Sequence, residues 1–344
     1  MNRIKKEIKE WGGALLFAVM VATPLRWAIA EPFKVPTSSM EGTILVGDYL
    51  LVSKYHYGAR TANTILQVPL TFQKIWGTEI PSYLDWIQLP SFRFPGVSEI
   101  NRNDIVVFNY PDELERPVDM RTYYVKRCVA VAGDTISISN GDLFINNLQE
   151  GKMSNMQTSY FIETSGRLNP RVFEKLSLTD YVAVNGGYIV HSNSEQILAL
   201  DTLPIVKSVQ KLSNSDRNVF LDGSTDWTPD NFGPIYVPKQ GDTIPINEMT
   251  LLRYGRIIEH YDHNTSVSIK EGALYIGGER REVYTFNQDY FFMMGDNRHN
   301  SLDSRYWGFV PNDHVVGKPL FTWFSKKKDK LLDIRWERCF KSLD

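Results

Sequence analysis

The hydrophobic pattern changes character once, near the start of the chain. Residues 1 to 10 are polar, with Arg3, Lys5, Lys6 and Lys9 set against Glu7 and Glu10. Trp11 to Leu25 carries no charge, Arg26 interrupts, and Trp27-Ala28-Ile29-Ala30 follows. The span from 11 to 30 has about the 20 residues that a transmembrane helix needs. Arg26 lies near its far end, where a long basic side chain can reach the headgroups. The basic flank precedes the span, so the positive-inside rule places residues 1–10 in the cytoplasm and exports the rest. A cleaved signal peptide is the competing reading, because Ala28-Ile29-Ala30 imitates an A-x-A cleavage site. No second run of that length follows: Val315 to Phe324 is short and broken by Lys318 and Pro319.

Beyond residue 30 the pattern predicts strands. Tyr49-Leu50-Leu51-Val52-Ser53 follows a Gly47-Asp48 turn, Asp104 to Phe108 follows a polar Asn101-Arg102-Asn103, and Thr122 to Val131 runs up to Gly133-Asp134. Two segments predict hairpins: Thr135 to Asn147 around Asn140-Gly141, and Ser266 to Gly278 around Glu271-Gly272. They bracket a long polar stretch read as an inserted β-rich lobe. Long helical periodicity is expected only in the anchor. The predicted fold is therefore mostly β: a β-rich catalytic core at 31–139 and 287–325, an inserted β lobe at 140–286, one N-terminal transmembrane helix before them, and a basic tail at 326–344. Residues 62–98 interleave Phe72, Trp76, Tyr83, Trp86, Phe92 and Phe94 with Pro69, Pro81, Pro90 and Pro95. They predict a long aromatic loop, packed as a local mini-core or lying as a patch in a membrane interface. The tail, with Lys326, Lys327, Lys328, Lys330, Arg335 and Arg338, predicts a solvated end, with contact to anionic lipid as the other reading.

Composition narrows the chemistry. At 344 residues the chain can build a sizeable core and two lobes. A net charge of −2 makes no case for nucleic acid. Cys128 and Cys339 are too few for a disulfide framework. The six histidines lack metal-ligand spacing, and neither CxxC nor HExxH occurs, so no metal or cofactor is expected. Nothing calls for an obligate protein partner.

Three clusters carry candidate chemistry. Ser39 lies in Phe33-Lys34-Val35-Pro36-Thr37-Ser38-Ser39-Met40, an extended approach leading into a turn. There a hydroxyl can stand beside free backbone N–H groups able to hold an oxyanion. A serine also needs a base. On the strand from Thr122, alternation puts Tyr124, Lys126, Cys128 and Ala130 on one face. Lys126 then sits between a ring and a thiol with no acid nearby, while Arg127 reaches solvent from the other face. Burial without an acidic partner can bring a lysine pKa down to where the neutral amine acts as base. The third cluster, Met293 to Val310, concentrates Asp, Asn, Ser and Arg between two apolar strands; Asp303 and Arg305 can pair there, and His299 offers a Ser-His-Asp alternative.

Together the segments PTSSMEGTILVGDYLLVSK, YYVKRCVAVAGD and GDNRHNSLDSRYWGFV, in this order behind an apolar N-terminus, resemble the bacterial type I signal peptidases, membrane-bound leader peptidases with a Ser-Lys dyad. The resemblance implies Ser39 as nucleophile and Lys126 as general base. It implies an oxyanion hole from the Ser39 N–H and the Thr37 hydroxyl, Ser301 orienting Lys126, and Asp303 with Arg305 as a supporting pair. Phe33, Val35, Pro36, Met40, Ile44, Tyr124 and Val125 would line apolar pockets for small residues at −1 and −3 of a preprotein. It also implies an uncleaved anchor in the bacterial inner membrane, with the catalytic region on the exterior face and preprotein signal peptides and lipid as partners. Glu41-Gly42 departs from the proline usual after the serine-methionine pair, and His299 stands where an acid is common. The rival readings are a self-cleaving Ser-Lys protein akin to the SOS repressors, which the anchor disfavours, and an inactive membrane-anchored β module for binding or assembly.

Overall fold

A computed structural model describes residues 2–69, 71–151, 153–214, 219–220, 226–327 and 333–343. The uncharged segment forms helix α1 (Asn2–Ala28), whose stretch Lys9–Ala28 is long and apolar enough to cross a membrane. Its apolar side chains, Trp11, Leu15, Leu16, Phe17 and Met20 among them, stand exposed rather than packed against the rest of the chain.

The main sheet takes its order from strands far apart in sequence: β1 (Ala30–Lys34), β2 (Asp48–Ser53), β22 (Val315–Ser325), β5 (Ile105–Asn109), β6 (Tyr123–Ala130), β20 (Tyr290–Met294) and β21 (Val310–Pro311). Every residue of β5 and β20 is buried, as suits strands covered on both faces. Register shifts where β22 meets β2 and β5 bend the ribbon and curl the sheet.

The tail is not a solvated end. β23 (Lys341–Ser342) pairs with β22, and Arg338 and Arg335 turn inward. Arg338 Nη2 lies 2.6 Å from the fully buried Asp48, and Arg335 Nε donates to Ser325 Oγ, which donates to Asp48. A buried carboxylate in that turn needs these partners, which is what draws the tail in. Lys328 and Lys330 lie outside the described residues.

The segment 62–98 holds a hairpin, β3 (Thr64–Gln67) with β4 (Tyr83–Gln88), rather than a plain loop. It forms no mini-core: Trp76 is 72% and Trp86 80% exposed, and Ile80, Leu84, Ile87, Phe92 and Phe94 are exposed as well. Each strand has too few apolar neighbours to bury both faces of a two-stranded ribbon.

Both predicted hairpins form, as β7 (Thr135–Ser139) with β8 (Asp142–Ile145), continued by β9 (Leu148–Gln149), and as β16 (Val267–Lys270) with β17 (Ala273–Ile276), continued by β18 (Glu279–Arg281). Positive φ at Asn140-Gly141 and Glu271-Gly272 makes the turns. The first ribbon pairs with β14 (Phe232–Tyr236); β15 (Thr243–Pro245) pairs with β19 (Val283–Thr285). The cuts at 139/140 and 286/287 pass through one apolar cluster, which joins Val129, Ile136 and Phe292 to Ile145, Phe232, Ile257 and Phe286.

A second cluster, around Ile162, Phe173, Tyr188, Val190 and Leu200, is the core of a smaller unit. It is built from β10 (Thr158–Thr164), β11 (Tyr181–Val184), β12 (Gly187–Ser192), β13 (Val206–Lys211), α2 (Pro170–Lys175) and α3 (Ser194–Asp201). The region between the hairpins is thus not purely β, and it also contains the amphipathic helix α4 (Glu248–His260). The signals for α4 are an Asn247/Thr250 capping box and Leu251, Tyr254, Ile257 and Ile258 at helical spacing.

Candidate functional site

Ser39 and Lys126 meet. β1 delivers the chain in extended form, Val35 N–H donates to Asp48 O, and residues 38–44 turn back, with Glu41 N–H on Ser38 O and Ile44 N–H on Met40 O. That turn holds Ser39, 8% exposed, over the face of β6 that alternation assigns to Lys126. Lys126 Nζ donates to Ser39 Oγ at 2.5 Å. Lys126 is 1% exposed, and among the described residues no carboxylate lies within ion-pair distance of it. Burial lowers its pKa to about 8, against the upward pull of Asp303 and Asp296; Arg305 adds a smaller downward push. Its Nζ also lies 5.4 Å from the centre of the Tyr124 ring, two residues back on the same face.

Cys128, next on that face, packs with Val106, Phe108, Met293 and Trp307. Burial pushes its thiol pKa up, so it is a core residue. Arg127 does not reach solvent. It is 8% exposed and makes a two-pronged pair with Asp296, Nε to Oδ1 at 2.8 Å and Nη2 to Oδ2 at 2.6 Å. Asp296 also accepts from Thr43 Oγ1 at 2.6 Å. One carboxylate therefore ties β6, the serine turn and the 295–305 segment together. Asp296 was readable only as one acid in a polar loop, because its partners are distant in sequence.

Asp303 and Arg305 pair through Nε–Oδ1 at 2.9 Å and Nη2–Oδ2 at 2.8 Å, both nearly inaccessible, and Asp303 caps the short helix α5 (Ser304–Trp307). Burial alone would raise the Asp303 pKa, but the guanidinium outweighs it and holds the carboxyl below its ordinary range. Ser301 is buried beside them, yet its hydroxyl makes no hydrogen bond to Lys126, whose amine is on Ser39 Oγ. The orienting bond that the resemblance implies is thus not made in this state, in which Lys126 is turned onto Ser39. His299 takes no part in a triad: its Nε2 faces Asp230 at 2.9 Å and its Nδ1 accepts from Ser159 N–H.

Gly295 is another residue that the sequence did not single out. Its N–H donates to Asp303 Oδ2, and a methyl group placed on it would collide with Ser301 Oγ and the Ser39 carbonyl oxygen. Gly295→Ala is expected to cut turnover at least about a hundredfold by displacing the serine turn, the scale of a 1 Å misplacement. A processing assay checks this, and wild-type turnover would contradict the contact.

The anticipated pocket residues divide between two faces. Phe33, Val35, Met40, Ile44 and Val125 form one cluster, whose floor, Met40 and Ile44, is fully buried. Tyr124 packs on the other side with Cys128 and Trp307, as alternation from Val125 requires, and Pro36 is exposed. Thr37 is exposed next to the serine turn. β1 pairs with β2 alone, and β20 joins β6 only from Arg127 onward, so Ala30–Lys34 and Tyr123–Lys126 each keep a free edge among the described strands. The rings of Phe33 and Tyr123, 4.7 Å apart, bring these edges together beside Ser39.

The smaller unit reaches the same turn. Gln157 N–H donates to Asp296 O and Arg298 N–H to Gln157 O; Thr179 Oγ1 donates to Glu41 Oε2 at 2.7 Å. Asp180 accepts from Asn297 and Asn300, and Asn300 also donates to Ser38 Oγ. Gly42, at φ +97°, lies where a side chain would strike Asn155 O. The Glu41-Gly42 departure is therefore filled by contacts from the unit centred on 158–211. Burial raises the Glu41 pKa, with the Thr179 bond opposing it.

The family model described as "Signal peptidase, peptidase S26" matches residues 8–196 and 239–324. The chain is 27% identical over 307 residues to a signal peptidase I from Buchnera aphidicola subsp. Schizaphis graminum, covering 88% of this chain and 71% of that one. It is 24% identical over 353 residues to a signal peptidase I from Helicobacter pylori strain J99, covering 97% and 91%. It is 27% identical over 327 residues to a signal peptidase I from Rickettsia rickettsii, covering 95% and 83%.

Proposed function

This chain belongs to the signal peptidase family, peptidase S26, and on that premise we propose that it is a single-pass membrane serine endopeptidase that removes signal peptides from exported preproteins through a Ser39–Lys126 dyad. The observation that carries the reading is the buried Lys126 with its amine on Ser39 Oγ and, among the described residues, no carboxylate partner.

In the proposed cycle, neutral Lys126 takes the Ser39 proton as Oγ attacks the scissile carbonyl carbon. The oxyanion lies against the Ser39 N–H and the Thr37 hydroxyl. Collapse breaks the C–N bond, the lysine proton leaves with the amine, and the signal peptide remains as an ester on Ser39. Neutral Lys126 then takes a proton from water as the water oxygen attacks the ester, and returns that proton to Ser39 Oγ as the C–O bond breaks, which frees the signal peptide as an acid and restores neutral Lys126. Asp303, Arg305 and Ser301 support the geometry. An extended substrate fits between the free edges of β1 and β6 by strand addition, with small residues at −1 and −3 over Phe33, Val35 and Val125. Pro36 and Tyr124 flank that path, and Met40 and Ile44 form its floor. Residues 1–10 lie in the cytoplasm, α1 crosses the inner membrane, and the catalytic region faces the exterior.

The test is processing of a preprotein with alanine at −1 and −3 by the full chain in detergent, with N-terminal sequencing of the product. Cleavage after −1 is expected, at a rate that rises with pH through a midpoint near 8, where Lys126 loses its proton. The sign follows from the mechanism, since the protonated amine cannot accept a proton. A rate that is flat from about pH 6 to 9, or no cleavage, would defeat the assignment.

A further inference from the structure

The smaller unit that holds the serine turn also presents an unpaired strand edge, which begins beside that turn. Its sheet runs β11–β12–β10–β13, so β11 and β13 are its two edges among the described strands. They are not alike. β13 carries Lys207 and Lys211, the kind of charge with which natural sheets keep other chains off an edge. β11, Tyr181-Val182-Ala183-Val184, has no charge, proline or bulge, and all four residues are exposed. Its outward groups follow from the ladder. His191 N–H donates to Asp180 O, and Val182↔Ile189 and Val184↔Gly187 keep that phase in steps of two. Bonded and non-bonded pairs alternate in an antiparallel ladder, so the N–H and C=O groups of Tyr181 and Ala183 point away from β12.

β11 starts at the candidate site. Thr179 and Asp180, the residues before it, hold Glu41 and Asn300, and one amide nitrogen, Asn300 Nδ2, lies 2.8 Å from Asp180 Oδ2 and 3.0 Å from Ser38 Oγ. Tyr181 therefore lies within roughly 15 Å of Ser39, a span that about five extended residues cover. The path between them is laid out by the main sheet. The free edge of β6 ends at Lys126, because β20 joins β6 from Arg127 onward, so a chain lying along that edge leaves the sheet at Ser39. The segment after β20 is buried up to His299 and exposed at Asn300. A chain passing beyond the dyad thus crosses Ser38 and Asn300, reaches Asp180, and meets β11 running away from the site.

We propose that the β11 edge takes the part of the preprotein that follows the scissile bond, from about position +5 on, as an added strand parallel to β11. The proposal rests on the signal-peptidase reading. Pairing through main-chain groups suits mature sequences that differ from one preprotein to the next, since every residue but proline carries both groups. A four-residue edge is too small for a stable interface between two copies of the chain, but it serves a chain already held at the dyad, for which the second contact is intramolecular. The test uses two peptides with alanine at −1 and −3, one from −5 to +2 and one from −5 to +10, cleaved by the full chain in detergent. The long peptide is expected to have the higher kcat/KM by about tenfold, mostly through KM, the scale of two or three main-chain hydrogen bonds. Proline at +5 to +8 of the long peptide, which removes its donors, should abolish that gain. Ala183→Pro, which removes one outward N–H and leaves the β12 ladder intact, should reduce it severalfold. Comparing long with short peptide in one preparation cancels differences in folded fraction. Equal kcat/KM for the two peptides in the unaltered chain overturns the proposal, and so does a gain that survives the prolines or Ala183→Pro. A gain left intact while Ala183→Pro changes the oligomeric state in sedimentation would assign the edge to a second copy instead. Failure of the unaltered chain to cleave either peptide or a whole preprotein would defeat the peptidase reading itself.

Discussion

Lys126→Met is expected to lower preprotein processing at least about a thousandfold and at the same time to raise the melting temperature. The two effects have one cause. A general base that also activates the nucleophile is worth several orders of magnitude in rate. Its burial, 1% exposed and without a carboxylate partner among the described residues, disfavours the charged amine that the unfolded chain carries at neutral pH. With the folded pKa at about 8 and the unfolded one at 10.5, that cost is about 3 kcal/mol. The unfolded state binds more protons between these values, so the cost is complete below pH 8 and fades as pH rises towards 10.5. Methionine fills the same space without charge, so the melting-temperature gain should be present at pH 7 and gone by about pH 10.5. Ser39→Ala should lose activity on the same scale, and the double variant should be no worse than either single one, because the two groups act as a unit. Single-turnover kinetics and thermal unfolding at several pH values check this. Lys126→Met activity within tenfold of the unaltered chain would remove the lysine from the mechanism.

Arg305→Ala is expected to be among the most destabilising single substitutions, by about 3 to 5 kcal/mol, because it leaves Asp303 ionised and buried without its partner. At this chain length that is a fall in melting temperature of roughly 4 to 7 °C. Arg305 also holds Arg298 O at 2.5 Å, and Asp303 holds Gly295 N–H at 3.1 Å, so the residues behind Ser39 lose their frame as well. Asp303→Leu combined with Arg305→Met, which removes both charges, should recover a good part of the stability but not the activity. Equal instability of the single and double variants would show that packing, rather than the unpaired charge, dominates.

Much of the frame was legible locally. The apolar run, the Asn140-Gly141 and Glu271-Gly272 turns and the alternation in β6 depend on neighbours in sequence. α4 contradicts the expectation of helix only in the anchor; its signals, the Asn247/Thr250 box and the spacing of Leu251, Tyr254 and Ile257, are local but were passed over in a stretch read as β-rich. The aromatic segment was half legible: its composition marked it as unusual, but whether those rings pack together or face outward depends on what lies beside them, and Trp76 and Trp86 face outward. The division into units was read at turn signals, whereas cores form wherever apolar faces meet, so Val129 and Phe292 share one with Ile145 and Phe286.

The sequence by itself determined that a serine lies just beyond an apolar segment of membrane-spanning length and that Lys126 and Tyr124 share a strand face, because hydropathy and the two-residue strand period are local properties. Only the tertiary structure decided that Lys126 Nζ stands on Ser39 Oγ across 87 residues of chain, that Arg127 spends its charge on Asp296 169 residues away, and that Thr179 donates to the Glu41 carboxylate. Those pairings follow from the curl of the sheet and from the requirement that each buried polar group find a partner. Such a partner is chosen by proximity in space, which no local pattern encodes.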